Sequence, residues 1–285
     1  MLTVLEAIKL STEYLEKKGI ESPRTNAELF LADIIGCKRL DLYLKFDRPV
    51  SEDERLKYRE FIARRGKLEP LQYILGYVEF YGLKFFVDPS VLIPRQETEI
   101  LVEKIINENK NMDSIRVLDI GTGTGNIPVS LRKNLPSFKF LTIDISSKAI
   151  DIAKKNIKLH EFEDDVEVMH FDILNGQSIE QLGKFDMIVS NPPYVDEEQY
   201  NTLQKEITEH EPKEAVSDFG DGYSFYKKIS ELSTQLLNPK GKIYFEVGIG
   251  QADRVKDLLA DNGMSFITSH KDYLDIDRVV YGEIG

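Results

Sequence analysis

The feature that most constrains this chain is a change of rhythm at Ile115. From there short apolar runs alternate with amphipathic stretches: RVLDIG, a helix from about Asn126, FKFLTID, a helix from about Ser147, VEVMHFD, then FDMIVSNPPY. A helix over Tyr223 to Leu237, the run GKIYFEVG and a helix over Ala252 to Asn262 continue the pattern, and MSFITSHKDY and RVVYGEI close it. Strand-like runs that take turns with helical periods fold as a doubly wound α/β sheet. Only a few residues separate the last two runs, too few for a parallel crossover, so they form an antiparallel pair at one edge.

Upstream the period is helical. Leu5, Ile8, Tyr14 and Leu15, then Ala27, Leu29, Phe30, Ala32, Ile34 and Ile35, then Leu56, Phe61 and Ile62 recur at helical spacing, with breaks at Gly19 to Arg24, Gly36 and Arg48 to Ser51. Residues 71–93 switch to aromatic and β-branched side chains punctuated by Gly76, Gly82 and Pro89, which reads as a hairpin. IPRQETE then leads into the periodic stretch Ile100 to Ile106, a helix with acidic residues in its first turn, where the helix dipole favours them. A chain of 285 residues has room for two cores. The expected division is a small helical domain over 1–70, a β-hairpin linker over 71–95 and the α/β domain over 96–285. On composition alone, the helical part is either a packing cap or a recognition domain.

Charge narrows the partners. Residues 1–75 carry 14 Lys and Arg against 13 Asp and Glu, so with a net charge of −12 overall the rest of the chain carries −13. A protein that grips duplex nucleic acid through its phosphates shows the opposite balance, so no direct nucleic-acid partner is expected. No apolar run approaches the roughly 20 residues that span a bilayer, and no basic leader precedes one, so a cytoplasmic protein without membrane contact is expected. Cys37 is the single cysteine, and His160, His170, His210 and His270 are scattered, so no metal is expected.

Asp119-Ile-Gly-Thr-Gly-Thr-Gly125 falls where the first strand of the sheet meets its helix. Ligands of open α/β sheets bind at the carboxyl ends of strands, which places this loop against a cofactor. Gly121, Gly123 and Gly125 let the backbone approach closely, with Thr122 and Thr124 between them. A dinucleotide fingerprint would need its third glycine where Asn126 stands, which weakens the pyrophosphate reading without removing it. Asp144 ends the second strand about 20 residues on, where a carboxylate can accept both hydroxyls of a ribose. That suits any adenosine-containing ligand. Asp172, ending the third strand, is placed for an adenine amino group with Ile173 beside it as an apolar wall; a turn aspartate and a core isoleucine are the alternative.

The fourth strand runs into Asn191-Pro192-Pro193-Tyr194. Two prolines fix φ and remove donors, so the turn is stiff and the carbonyls of Asn191 and Pro192 are left as acceptors. The chemistry they suit is that of a planar NH2 whose lone pair is delocalised: two acceptors orient the nitrogen and draw its protons out of the plane. Tyr194 would cover the flat group with its ring and exclude water. A rigid loop that merely caps the next helix is the plainer reading.

Taken together, PLQYILGYVEFYGLKFFVDPSVLIPRQETE, VLDIGTGTGNI, FDMIVSNPPYV, HEPKEAV and FEVG resemble the release-factor glutamine N5-methyltransferases, the HemK/PrmC family, over nearly the full length. The combination is far more specific than Asn-Pro-Pro-Tyr alone, which also occurs in enzymes that methylate adenine N6 and cytosine N4. Seven strands with a terminal hairpin likewise fit a class I, Rossmann-like methyltransferase. The resemblance implies S-adenosylmethionine as methyl donor, with S-adenosylhomocysteine as product, held by Asp119, Gly121 to Gly125, Asp144, Asp172, Ile173 and Asn191. It also implies that Asn191 to Tyr194 hold a glutamine amide, with Pro94 and Arg95 near the mouth. The substrate implied is the Gly-Gly-Gln tripeptide of peptide-chain release factors, recognised with help from the helical domain, and the enzyme is expected to be a monomer. Glu211 and Glu246 match family positions and are expected to support the pocket. Gln96 and Asn126 stand where proline and alanine are frequent. Methylation of an exocyclic base amine in DNA or RNA is the alternative activity.

Overall fold

The computed structural model describes residues 2–175 and 178–285. They form two compact units, Met1–Tyr77 with Gln204–His210, and Val78–Leu203 with Glu211–Gly285.

The first unit is helical: α1 (Val4–Lys17), α2 (Pro23–Ile35), a 3-10 helix (Arg39–Lys45), α3 (Glu52–Arg65) and α4 (Leu71–Leu75). Thr3 and Ser51 start α1 and α3 with reciprocal capping boxes to Glu6 and Glu54, satisfying amides that a helix start leaves open. Pro23 opens α2, and Gly36 closes it in the left-handed region. The apolar faces meet around Leu15, Phe30, Leu31 and Ile62. Arg65, only 5% exposed, donates to Asn26, to the carbonyl of Glu69 and, at 2.7 Å, to Glu206, which ties the segment Gln204–His210 into this unit. One expectation is corrected. Leu71–Leu75 is a helical turn ended by Gly76 at φ 79°, so the hairpin is confined to β1 (Tyr77–Phe80) and β2 (Leu83–Phe86). Aromatic and branched residues at 71–75 favour a strand, but Tyr73 and Ile74 bury better as a turn against the helices.

In the second unit, α5 (Gln96–Asn109), β3 (Arg116–Ile120), α6 (Asn126–Asn134), β4 (Lys139–Asp144), α7 (Ser147–Leu159), β5 (Val166–His170), β6 (Phe185–Ser190), α8 (Ser224–Leu236), β7 (Leu237–Glu246), α9 (Ala252–Asp261), β8 (Met264–Lys271) and β9 (Asp277–Ile284) follow in order. The seven strands line up as β5-β4-β3-β6-β7-β9-β8. Neighbours from β5 to β7 are parallel, and β9 runs antiparallel to both β7 and β8. Side chains alternate between two cores: Leu118, Ile188 and Phe245 face α8 and α9, while Val117, Val189 and Tyr244 face α5 and α6. Phe80 and Phe85 of the hairpin belong to the second core. The strand order reverses between β3 and β6, which opens a crevice at their carboxyl ends.

Among the described residues, no helix is long and apolar enough to cross a membrane. Nor do three or more His, Cys, Asp or Glu side chains gather in a group able to hold a metal.

Candidate active site

The crevice is a cleft of about 1110 Å³, counting the space at its open mouth, and most of its wall is apolar. Its floor is the glycine loop after β3. Gly121, Gly123 and Gly125 all have positive φ, at 78°, 53° and 76°. A Cβ on Gly121 or Gly123 would meet nothing within 4 Å, so the dihedral demands glycine and the space beside it is free for a ligand. Gly125 instead caps α6, with Ala153 at 3.5 Å from where its Cβ would stand. The loop hangs from the next strand: the amides of Gly121 and Thr122 donate to Ile143, and the Gly123 amide donates at 3.0 Å to Asp144. Asn156 fixes Thr124 from α7 by donating to its carbonyl at 2.8 Å.

The three acidic residues expected here stand differently. Asp144 lies at the cleft wall and accepts the amides of Gly123 and Ser146; burial raises its pKa against the lowering effect of those bonds. Asp172 and Ile173 also line the cleft. The Asp172 carboxylate accepts the amides of Leu174 and Asn175 and the side chain of Asn175, so it builds the turn after β5 while bordering the cleft. Asp119 does not reach the surface. It is wholly buried beneath the loop, accepts the Thr142 hydroxyl, and is pushed up to about 6 by burial, which outweighs that hydrogen bond.

Asn191 and Pro193 also line the cleft; Pro192 is buried, and neither it nor Tyr194 lines the cleft. Residues 191–194 belong to no helix or sheet. The Asn191 amide nitrogen donates at 3.0 Å to the hydroxyl of Thr98, which commits the nitrogen and leaves the carbonyl as the other end of the group. Tyr194 is held from below: Gln251 donates to its backbone carbonyl at 3.0 Å, and a Cβ on Gly248 would come within 3.0 Å of its ring. Burial pushes the Tyr194 phenol up, so it stays neutral.

Pro94 and Arg95 border the cleft, as expected for its mouth. Glu211 positions them: its nearly inaccessible carboxylate accepts the Ile93 amide at 3.1 Å and pairs with Arg95 at 2.5 Å. Thr98 and Gln251 were not singled out in the sequence. Thr98 sits within IPRQETE, but its partner is 93 residues away, and no local spacing discloses such a contact.

This sheet order, with a glycine-loop cleft at the switch point, defines a class I methyltransferase fold. A methyltransferase from Pyrococcus furiosus shares it, with a TM-score of 0.53 at 19% identity, over 82% of this chain and 98% of that one. Residues 6–76 match the PrmC N-terminal domain and residues 95–223 the methyltransferase small domain. A release factor glutamine methyltransferase from Geobacter sulfurreducens is 39% identical over 285 residues, covering 99% of this chain and 97% of that protein. One from Bacillus cereus is 34% identical over 291 residues, covering 99% of this chain and 100% of that protein. The chain belongs to the release factor glutamine methyltransferase family, and it is a methyltransferase.

Proposed function

We propose that this enzyme transfers a methyl group from S-adenosylmethionine to the side-chain amide nitrogen N5 of the glutamine in the Gly-Gly-Gln tripeptide of peptide-chain release factors. The observation that carries the reading is the orientation of Asn191, whose nitrogen is occupied by Thr98 so that an acceptor is presented where the strand ends at the cleft.

The cleft fits the donor. Its apolar wall suits an adenine ring, Asp144 stands where ribose hydroxyls would lie, and the missing Cβ atoms of Gly121 and Gly123 leave room for a chain to pass over the loop. Bound there, S-adenosylmethionine supplies a methyl group on an electrophilic sulfonium.

The protein supplies the orientation. A glutamine amide nitrogen is a poor nucleophile because its lone pair is delocalised into the carbonyl. The Asn191 side-chain carbonyl and the Pro192 backbone carbonyl each accept one N–H, holding the nitrogen with its lone pair toward the methyl. Pre-alignment of two reactants lowers a barrier by about 7–11 kcal/mol, whereas one fixed polar contact contributes about 100-fold in rate, so alignment is the larger effect. The two prolines keep those carbonyls from relaxing, and the Tyr194 ring covers the amide and excludes water. The helical unit contributes to recognition of the protein substrate, with Pro94 and Arg95 bordering the entrance.

The test is peptide mass spectrometry of a release factor after incubation with the enzyme and labelled donor. One added methyl on the tripeptide glutamine is expected. Label entering DNA or RNA and no protein would overturn the assignment.

A further inference from the structure

Asn156, on α7, is wholly buried, and its side-chain amide is fully engaged. Its carbonyl accepts the Phe86 amide at 2.7 Å, and its nitrogen donates to the Phe86 carbonyl at 3.0 Å and to the Thr124 carbonyl at 2.8 Å. The first two bonds clamp the end of β2; the third holds the glycine loop. Phe86 does not line the cleft, whereas Thr124 does and is itself 1% exposed. The helix lies directly against the loop here, for Ala153, about one turn before Asn156, stands 3.5 Å from where a Cβ on Gly125 would be.

We infer that Asn156 is a positioning residue that couples the hairpin to the glycine loop. A side-chain amide has one acceptor oxygen and two N–H donors. Inverted, it would set its NH2 against the Phe86 N–H, so the hairpin fixes which way the amide faces and thereby aims the remaining N–H at Thr124. A buried carbonyl left without its donor is costly, so neither the loop nor the strand parts freely from the amide. Whatever holds the loop therefore holds Phe86 too, and release of Phe86 loosens the loop, since coupling between two sites is reciprocal. With S-adenosylmethionine bound over the loop, the hairpin becomes part of what sets cofactor affinity, although none of its residues lines the cleft.

The cofactor consequence rests on the reading that the methyl donor binds at this loop; the bridge itself does not. Amide hydrogen exchange, followed by NMR on the full chain at about pH 8, reads both ends: Phe86, and Gly125, whose amide donates to Thr122 within the loop. In the wild type, saturating S-adenosylhomocysteine slows exchange about 10-fold at both. Asn156→Asp, ionised at that pH, still accepts from Phe86 but donates to neither carbonyl. Without ligand it speeds exchange at Gly125 about 10-fold; with saturating ligand Gly125 is protected again and Phe86 is not, and the dissociation constant rises about 10-fold. Ile157 is also buried on α7, and Ile157→Val, which loosens the same helix without touching the bridge, leaves the dissociation constant and the shared protection within about twofold. A wild type that does not bind S-adenosylhomocysteine, with Gly125 loosened in ligand-free Asn156→Asp, would uphold the bridge and sink the donor assignment. Phe86 exchange indifferent to bound ligand in the wild type, Phe86 protection that survives in Asn156→Asp, or unaltered Gly125 exchange in that variant without ligand overturns the inference. Should Asn156→Asp not fold, Phe86→Pro, which removes the N–H that fixes the amide, is read at Gly125: exchange about 10-fold faster there upholds the coupling, and unaltered exchange sinks it.

Discussion

Gln251 donates its side-chain amide to the backbone carbonyl of Tyr194 at 3.0 Å. The same group reaches the Gly222 carbonyl at 3.3 Å, and its oxygen accepts the Gly248 amide at 3.0 Å. One side chain at the start of α9 thus braces the end of the Asn-Pro-Pro-Tyr turn against two loops. The prolines stiffen that turn from within; Gln251 fixes it from outside. Gln251→Leu removes all three bonds and strands the partners that cannot reach water, at about 1–3 kcal/mol. The expected outcome is a lower urea midpoint together with a kcat reduced about 10-fold or more, since misplacement of the turn costs alignment. Equal kcat in the two proteins would show that the brace does not position the site.

Gly121 and Gly36 offer a matched pair. Both have positive φ, at 78° and 74°, and neither would crowd a Cβ within 4 Å. Alanine at either site therefore costs about 1 kcal/mol in backbone strain and little else. Only Gly121 borders the cleft. Gly121→Ala should weaken binding of S-adenosylhomocysteine about 10-fold or more in a calorimetric titration, whereas Gly36→Ala leaves it unchanged. Equal affinities would place the cofactor elsewhere.

What could be read from sequence divides along lines of range. The alternation from Ile115 onward was legible because each strand and helix declares its own period, and the closing antiparallel pair followed from a connection too short to cross over. Gly121, Gly123 and Asp144 were legible because a turn needing positive φ and a carboxylate ending the next strand are local signals. Asp119, which the resemblance implied as a cofactor contact, shares the loop's sequence but points into the core, where Thr142 meets it, and no local spacing discloses that. Thr98 and Gln251 were invisible because their roles arise from contacts across 93 and 57 residues. The turn at Leu71–Leu75 was misread because its composition favours a strand, and burial of Tyr73 and Ile74 overrode that preference.

Asp119 makes stability depend on pH. Burial raises its folded-state pKa from 3.8 to about 6. The folded value lies above the unfolded one, so the native state keeps its proton longer. That stabilisation is complete below about pH 4 and is lost as pH rises through about 6, a loss of about 3 kcal/mol at neutral pH. Asp119→Asn cannot ionise and escapes it. The free-energy difference between variant and wild type, from urea titrations at about pH 4 and about pH 8, should therefore move in favour of the variant by about that amount. A difference that stays constant across the range would mean that the carboxyl is not titrating in the interior.

Glu211 links the cleft mouth to the stretch that follows β6. It is nearly inaccessible, while its partner Arg95 is 33% exposed, so water weakens the ion pair and the bond to the buried Ile93 amide matters more. Glu211→Ala leaves that amide unpaired, and the expected loss is about 2–3 kcal/mol, mostly desolvation of the orphaned N–H. Glu211→Gln keeps an acceptor for Ile93 and should recover about half of it. Because Pro94 and Arg95 border the cleft, loosening their segment should raise the KM for a release factor more than it lowers kcat, and by more in Glu211→Ala than in Glu211→Gln. Steady-state kinetics alongside thermal melts separate the two effects: a KM unchanged in both variants, with stability reduced, would confine Glu211 to holding the fold.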